Sequence, residues 1–196
     1  MWSAMTERAE RIVDTLIGLD PLADLPRTGW LLRGVRPCES IAEHSHAVAV
    51  TVMLLVDALR AEGHEVDGER ALRMALVHDA PEAKTGDIPM PQKTPDMTDA
   101  LDRLEDDIAQ KLLPEPELWR EAHAGDSLEA RIVKAADKLQ MMTKALVYGR
   151  QGRGDLHEFW LNEKNFRDRG LPIAAEAFDV LRARHRDPAS WKLGRW

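Results

Sequence analysis

Leu72-Arg73-Met74-Ala75-Leu76-Val77-His78-Asp79-Ala80-Pro81-Glu82 is the stretch that decides how the chain folds. Five of its first six residues are apolar, and the run ends in an imidazole beside a carboxylate. The helix it belongs to starts near Gly68 or Glu69 and stops at His78-Asp79. Pro81 marks the stop and suits the first turn of a short following helix, where its missing N–H has no intrahelical partner to lose. Adjacent side chains on a helix diverge by about 100°. A His-Asp doublet can therefore face one ion only at a helix terminus or edge, which is where Pro81 puts it.

Outward from this stretch the chain reads as helix almost throughout, with little strand alternation and no Asn-Gly or Asp-Gly hairpin turn between β-branched runs. A first helix starts near Thr6 and carries Ile12, Val13, Leu16 and Ile17 as its apolar stripe. Pro21 and Pro26 punctuate its exit, and residues 27–42 read as a loop with a helical turn. A long helix then runs from Ile41 or Ala42 to Glu62, with Gly63 as its stop. It is apolar on nearly every face from Ala47 to Val56 and is expected at the centre of the fold. Gly86 and the prolines at 89, 91 and 95 make an irregular stretch. Helices follow over about 96–113 and 116–123, then from the N-cap Ser127 to about Tyr148, where Gly149, Gly152 and Gly154 break the last of them. A final helix spans Pro172 to about Arg184, and the tail ending in Trp196 has no legible pattern. The expectation is an all-α, single-domain protein over 1–196, with a core at about 6–150 and a helical C-terminal extension at about 155–196.

Of the 196 residues, 34 are acidic and 27 basic, a net charge of -7. That sign repels a phosphate backbone, so no nucleic-acid polymer is expected as a partner, while a small phosphate ester stays open because a local cation outweighs the global field. Cys38 is the single cysteine. It allows neither an internal disulfide nor a thiolate metal framework, which fits a reducing cytoplasm. The opening Met1-Trp2-Ser3-Ala4-Met5-Thr6-Glu7-Arg8 lacks the apolar core of a signal peptide. The apolar run Ala47–Val56 is too short to span a bilayer, so no membrane partner is expected.

Two more helices carry polar groups in apolar surroundings. His44 shares a face with Val48, Thr51 and Val52. Asp137 lies in Ile132-Val133-Lys134-Ala135-Ala136-Asp137-Lys138-Leu139-Gln140-Met141-Met142, with Val133 and Met141 one turn away on either side. Alone, a histidine on an apolar helix is more often a hydrogen-bonded core residue, and a lone aspartate pairs as readily with a lysine or arginine. A buried carboxylate costs several kcal/mol unless it is paired or ligates a cation, however. His44, His78, Asp79 and Asp137 together make a mixed nitrogen–oxygen set for one divalent metal ion.

The order His…His-Asp…Asp resembles the HD-domain metal-dependent phosphohydrolases. Pro26-Arg27-Thr28-Gly29-Trp30, Glu43-His44-Ser45, Val77-His78-Asp79-Ala80-Pro81-Glu82, Gly86-Asp87-Ile88-Pro89 and Val133-Lys134-Ala135-Ala136-Asp137-Lys138-Leu139 look like the 5'-deoxynucleotidase branch. The resemblance covers about residues 10–150. It implies a compact helical bundle, a homodimer, and a mononuclear site for one divalent metal (Mn, Co, Fe, Mg or Zn) held by His44, His78, Asp79 and Asp137. It makes Glu82 the proton-transfer group and Asp87 a second catalytic candidate, with a helix-N-terminal acid and an Asx turn as their plainer readings. Arg27 and Arg33 are the candidates to grip phosphate, with Arg36 and Lys84 behind them. Trp30 is either a wall for base or sugar or a core anchor. Some members place an arginine directly before that tryptophan; here Gly29 stands there. His123, the one histidine between the doublet and Asp137, reads as a solvated residue in the turn before Gly125, and His46 as packing or interface. The implied reaction is hydrolysis of (deoxy)nucleoside 5'-monophosphates by metal-activated water. Hydrolysis of another phosphoester, such as a nucleoside triphosphate or an alarmone, and a non-catalytic nucleotide-binding module are the alternatives.

Overall fold

A computed structural model describes residues 2–89, 95–187 and 189. Pro91 and the tail bearing Trp191 and Trp196 lie outside the described residues. Among the described residues ten α-helices follow in order: α1 Trp2–Leu19, α2 Thr28–Leu31, α3 Ile41–Ala61, α4 Gly68–Val77, α5 Glu82–Thr85, α6 Pro95–Leu112, α7 Pro116–Ala124, α8 Leu128–Arg150, α9 His157–Leu161 and α10 Pro172–Arg186. Short 3-10 turns occupy Asp20–Ala23 and Glu163–Phe166. The only β pairing among these residues is an isolated bridge between Pro26 and Ser40.

The helices begin where the sequence offers caps. Ser40 and Glu43 form a reciprocal capping box, Ser40 Oγ accepting from the Glu43 N–H at 3.1 Å while Glu43 Oε2 accepts from the Ser40 N–H at 2.8 Å. Asp67 caps α4 and Ser127 caps α8. Gly125 ends α7 in the left-handed conformation, φ 75°.

α3 is central, as its all-round apolar pattern requires, and packs on α8 and α4. Its 21 residues make it longer than the Ala47–Val56 run, and apolar enough to cross a bilayer by length and composition. Here Val48, Val52, Val56 and Leu59 sink into the same core as Ile132, Val133, Ala136 and Met142 of α8. Alanines at 135, 136 and 145 of α8 are fully buried.

The stripe of α1 turns outward, contrary to the usual fate of such a stripe. Ile12, Val13, Leu16 and Ile17 are 52–65% exposed. A different face holds the helix: Thr15 Oγ1 donates to the Leu112 carbonyl at 3.1 Å, and Gly18 lies where a Cβ would stand 2.3 Å from Leu112 Cδ1. Hydrogen bonding and close approach decide the orientation of α1, and its apolar stripe is left without a partner among the described residues.

Candidate metal centre and substrate cavity

The first imidazole comes from the opening turn of α3, registered by the Ser40–Glu43 box. The second comes from the C-cap of α4, and Asp79 follows in the turn that Pro81 forces before α5. Asp137 points in from the middle of α8. His44 Nε2 stands 3.4 Å from Asp137 Oδ1 and 3.5 Å from Asp79 Oδ2, and His78 Nε2 is 3.3 Å from the same Asp79 oxygen. One ligand atom each from His44, His78 and Asp137 lies within 4.8 Å of the others.

Ligands about 2.0–2.3 Å from one cation stand about 3 Å apart when adjacent, so this spacing suits a single ion. The fit also shows in what is left unsatisfied. Nε2 of His44 and Nε2 of His78 are buried without a hydrogen-bond partner. His78 Nδ1 lies 2.7 Å from the Ala75 carbonyl, which can only accept, so its proton sits on Nδ1 and the Nε2 lone pair faces the centre. Two buried imidazole nitrogens and two carboxylates facing one point fit a divalent ion.

The electrostatics of the pocket divide its acids. Burial raises the Asp137 carboxyl, but Lys138, 3.2 Å away, and the His44 ring outweigh it and leave it well below the ordinary range. Burial likewise opposes ionisation of Asp79, and His78, Arg27 and His44 together hold it down. Glu82 goes the other way. Burial and the neighbouring Asp79 push it up to about 10, and Arg27 only partly offsets them. Its Oε2 is buried and has no hydrogen-bond partner.

Arg27 is enclosed by carboxylates, with one terminal nitrogen 3.1 Å from Asp79, 3.6 Å from Glu82 and 3.6 Å from Asp87. Burial disfavours its charge, yet these acids hold it above its ordinary value. Asp87 accepts the Thr28 backbone N–H at 2.6 Å, so one of its oxygens pins the start of α2. Trp30 is 2% exposed, anchors the core and also lines the cavity. Arg33 is drawn into an ion pair with Glu158 at the cavity wall. Arg36 and Lys84 are exposed and do not line the cavity. His123 sits in the last turn of α7 before Gly125, exposed and stacked on Trp119 with centroids 4.9 Å apart. His46 is exposed on α3.

The cavity holds about 450 Å³ and joins Arg27, Trp30, His44, Asp79, Glu82 and Asp137. Glu158, Phe159, Asn162 and Asn165 close it from the C-terminal extension, which the sequence reading did not connect to the site. Phe159 stacks on Trp30 at 4.7 Å. Gly154 makes the approach possible: it lies at φ 72°, where a Cβ would stand 2.6 Å from the Arg33 carbonyl, and Asp155 donates its N–H to that carbonyl at 2.9 Å. Lys138, Glu39 and Gln140 also line the cavity and were not foreseen. A polar Gln140 one turn after Asp137 in an apolar run was a readable signal; Glu39, in a loop with no periodicity, gave none. A second cavity of about 340 Å³ shares Asp79, Glu82 and Asp137 and adds His78, Lys134 and His123.

Comparison with known proteins agrees with this geometry. The HD domain family matches residues 19–174. The human 5'-deoxynucleotidase HDDC2 is 34% identical over 136 residues, 65% of this chain, which spans 63% of that protein's length. The Schizosaccharomyces pombe 5'-deoxynucleotidase hdd1 is 32% identical over 163 residues, 76% of this chain and 78% of the relative. Among solved structures, the PH0347 protein of Pyrococcus horikoshii superposes with a TM-score of 0.76 at 37% identity, covering 89% of this chain and 98% of its own. An HD phosphohydrolase of cyanophage S-2L, solved with dA and one catalytic zinc ion, shares the fold at a TM-score of 0.65 and 23% identity, over 87% and 95% of the two chains. With candidate ligands on α3, α4 and α8 and no strand among the described residues, the chain belongs to the HD-domain family.

Proposed function

We propose that the protein hydrolyses nucleoside 5'-monophosphates, deoxynucleotides among them, to nucleoside and phosphate. The observation that carries this reading is the pair of buried imidazole nitrogens, without hydrogen-bond partners, that face Asp79 and Asp137 beside a nucleotide-sized cavity. Relatives named 5'-deoxynucleotidase at 32–34% identity support the substrate class.

His44, His78, Asp79 and Asp137 hold the cation. When bound, a divalent ion polarises the phosphoryl group and acidifies water. Arg27 offsets the charge of Asp79 and Asp87, so these two acids and the protonated Glu82 can share one wall without expelling an anionic substrate. Glu82 holds a proton at its buried carboxyl and delivers it to the departing 5'-oxygen, as a general acid must. Lys138 offers a cation to the phosphate beside the metal, and Trp30 with Phe159 forms a flat wall for sugar and base. The solvent-facing stripe of α1 supports a homodimer, since four large apolar side chains there have no cover among the described residues.

The test is a panel of nucleoside mono-, di- and triphosphates, with deoxyribose and ribose forms, assayed with Mn²⁺, Co²⁺, Mg²⁺ and Zn²⁺. Free phosphate released from monophosphates at the highest kcat/KM is the expected result. Hydrolysis confined to triphosphates would replace this substrate assignment.

A further inference from the structure

Among the described residues four buried side chains are polar or charged, and three of them, Glu39, His44 and Gln140, form one line. Trp30 Nε1–H donates to Glu39 Oε1 at 2.9 Å. Gln140 Nε2–H donates to Glu39 Oε2 at 2.9 Å, and Gln140 Oε1 lies 2.7 Å from His44 Nδ1. Lys144 Nζ is 3.3 Å from Glu39 Oε2, and the Tyr148 hydroxyl accepts the Glu39 backbone N–H at 2.9 Å. The carboxylate is therefore held at both ends, in the wall of the cavity that also contains Trp30 and His44.

The direction of every bond in this line follows from one group. A carboxylate only accepts. Gln140 must then turn its NH₂ toward Glu39, which leaves its carbonyl for His44. A carbonyl also only accepts, so the imidazole proton sits on Nδ1 and the Nε2 lone pair is left facing Asp79 and Asp137. His78 reaches the same state differently, through the Ala75 backbone carbonyl, which cannot turn over. Only His44 depends on an amide that has two orientations.

We propose that Glu39 sets the tautomer of His44 through Gln140, and that the same carboxylate ties the metal ligand to Trp30 in the substrate wall. Glu39 and Gln140 are positioning residues, and the inference rests on His44 ligating through Nε2. It makes an unusual prediction for an isosteric change. In Glu39→Gln the new amide has one acceptor and one donor. Trp30 is a pure donor and takes the acceptor, while Lys144, 32% exposed, is free to swing away. The new NH₂ then faces Gln140, which turns over and presents its own NH₂ to His44. Nδ1 must now accept, the proton moves to Nε2, and that nitrogen can no longer ligate. Adding Gln140→Glu reverses the outcome, because a carboxylate at position 140 accepts both from the new amide at position 39 and from His44 Nδ1–H.

The experiment measures Mn²⁺ affinity by calorimetry and the His44 tautomer by ¹⁵N NMR of the metal-free protein, in wild type, Glu39→Gln and Glu39→Gln/Gln140→Glu. Wild type should show Nδ1–H. The single variant should show Nε2–H and bind about 10- to 100-fold more weakly, the range found when groups behind metal ligands are removed. The double variant should regain both properties. Wild-type affinity and Nδ1–H in the single variant, or a double variant no better than the single, would overturn the relay. Should Glu39→Gln fail to fold, Gln140→Met removes the amide alone, and unchanged affinity there overturns the relay as well. A wild type that binds no metal would refute the metal centre, and the tautomer signals would still decide the relay.

Discussion

Asp137 is a carboxylate on a core helix, held ionised by Lys138 and His44 against the cost of burial. Asp137→Ala should abolish metal binding and phosphate release while the helical CD signal stays near wild type, because the residue contributes to the cation and not to α8 itself. Glu82→Gln should keep metal affinity and slow turnover by about 10²- to 10⁴-fold, the usual worth of a positioned acid or base; loss of metal with it would make Glu82 a ligand. At this scale the sequence was legible wherever a polar group interrupted an apolar helical run, as at His44, His78-Asp79 and Asp137. It was not legible for Glu39, which sits before the α3 cap without a periodic context. Nor did it reveal that Arg33 spends its charge on Glu158, since that partner lies 125 residues away.

At the scale of elements, periodicity, breakers and the Ser127 cap placed most of the helices to within a few residues, while the Ser40 and Asp67 caps and the Gly125 stop came from the structure. The short α9 escaped because five residues hold too little periodicity to read. One junction has a measurable consequence away from the metal. Glu121 of α7 accepts from Arg70 Nε of α4 at 2.9 Å and from the hydroxyl of Ser127, the cap of α8, at 2.6 Å. Those two bonds hold its carboxyl below the ordinary range. A depressed folded value stabilises the fold above the unfolded value of 4.5, and this stability is lost as pH falls through the folded value. Glu121→Gln should cost about 1 kcal/mol at neutral pH, a figure already discounted for the exposure of Arg70, and less at low pH. Urea unfolding of both proteins at pH 7 and pH 3 checks this, and an equal gap at the two pH values would contradict it.

For the molecule as a whole, the all-α class followed from pattern and the compact bundle from the family resemblance, but two global features followed from neither. The C-terminal extension closes the substrate cavity, because Gly154 lets the chain pass against the Arg33 carbonyl. The stripe of α1 faces solvent, because Thr15 and Gly18 dock the helix by another side. If that stripe is the contact between two copies, Leu16→Glu/Ile17→Glu should convert a dimer to a monomer in sedimentation; a wild type that sediments as a monomer at assay concentration refutes the dimer. The most direct test of the account as a whole is a calorimetric Mn²⁺ titration of the metal-stripped wild type beside Asp137→Ala. One tightly held ion per wild-type chain and none in the variant is the predicted result. A variant that binds with unchanged affinity, or a wild type that binds none, would contradict it.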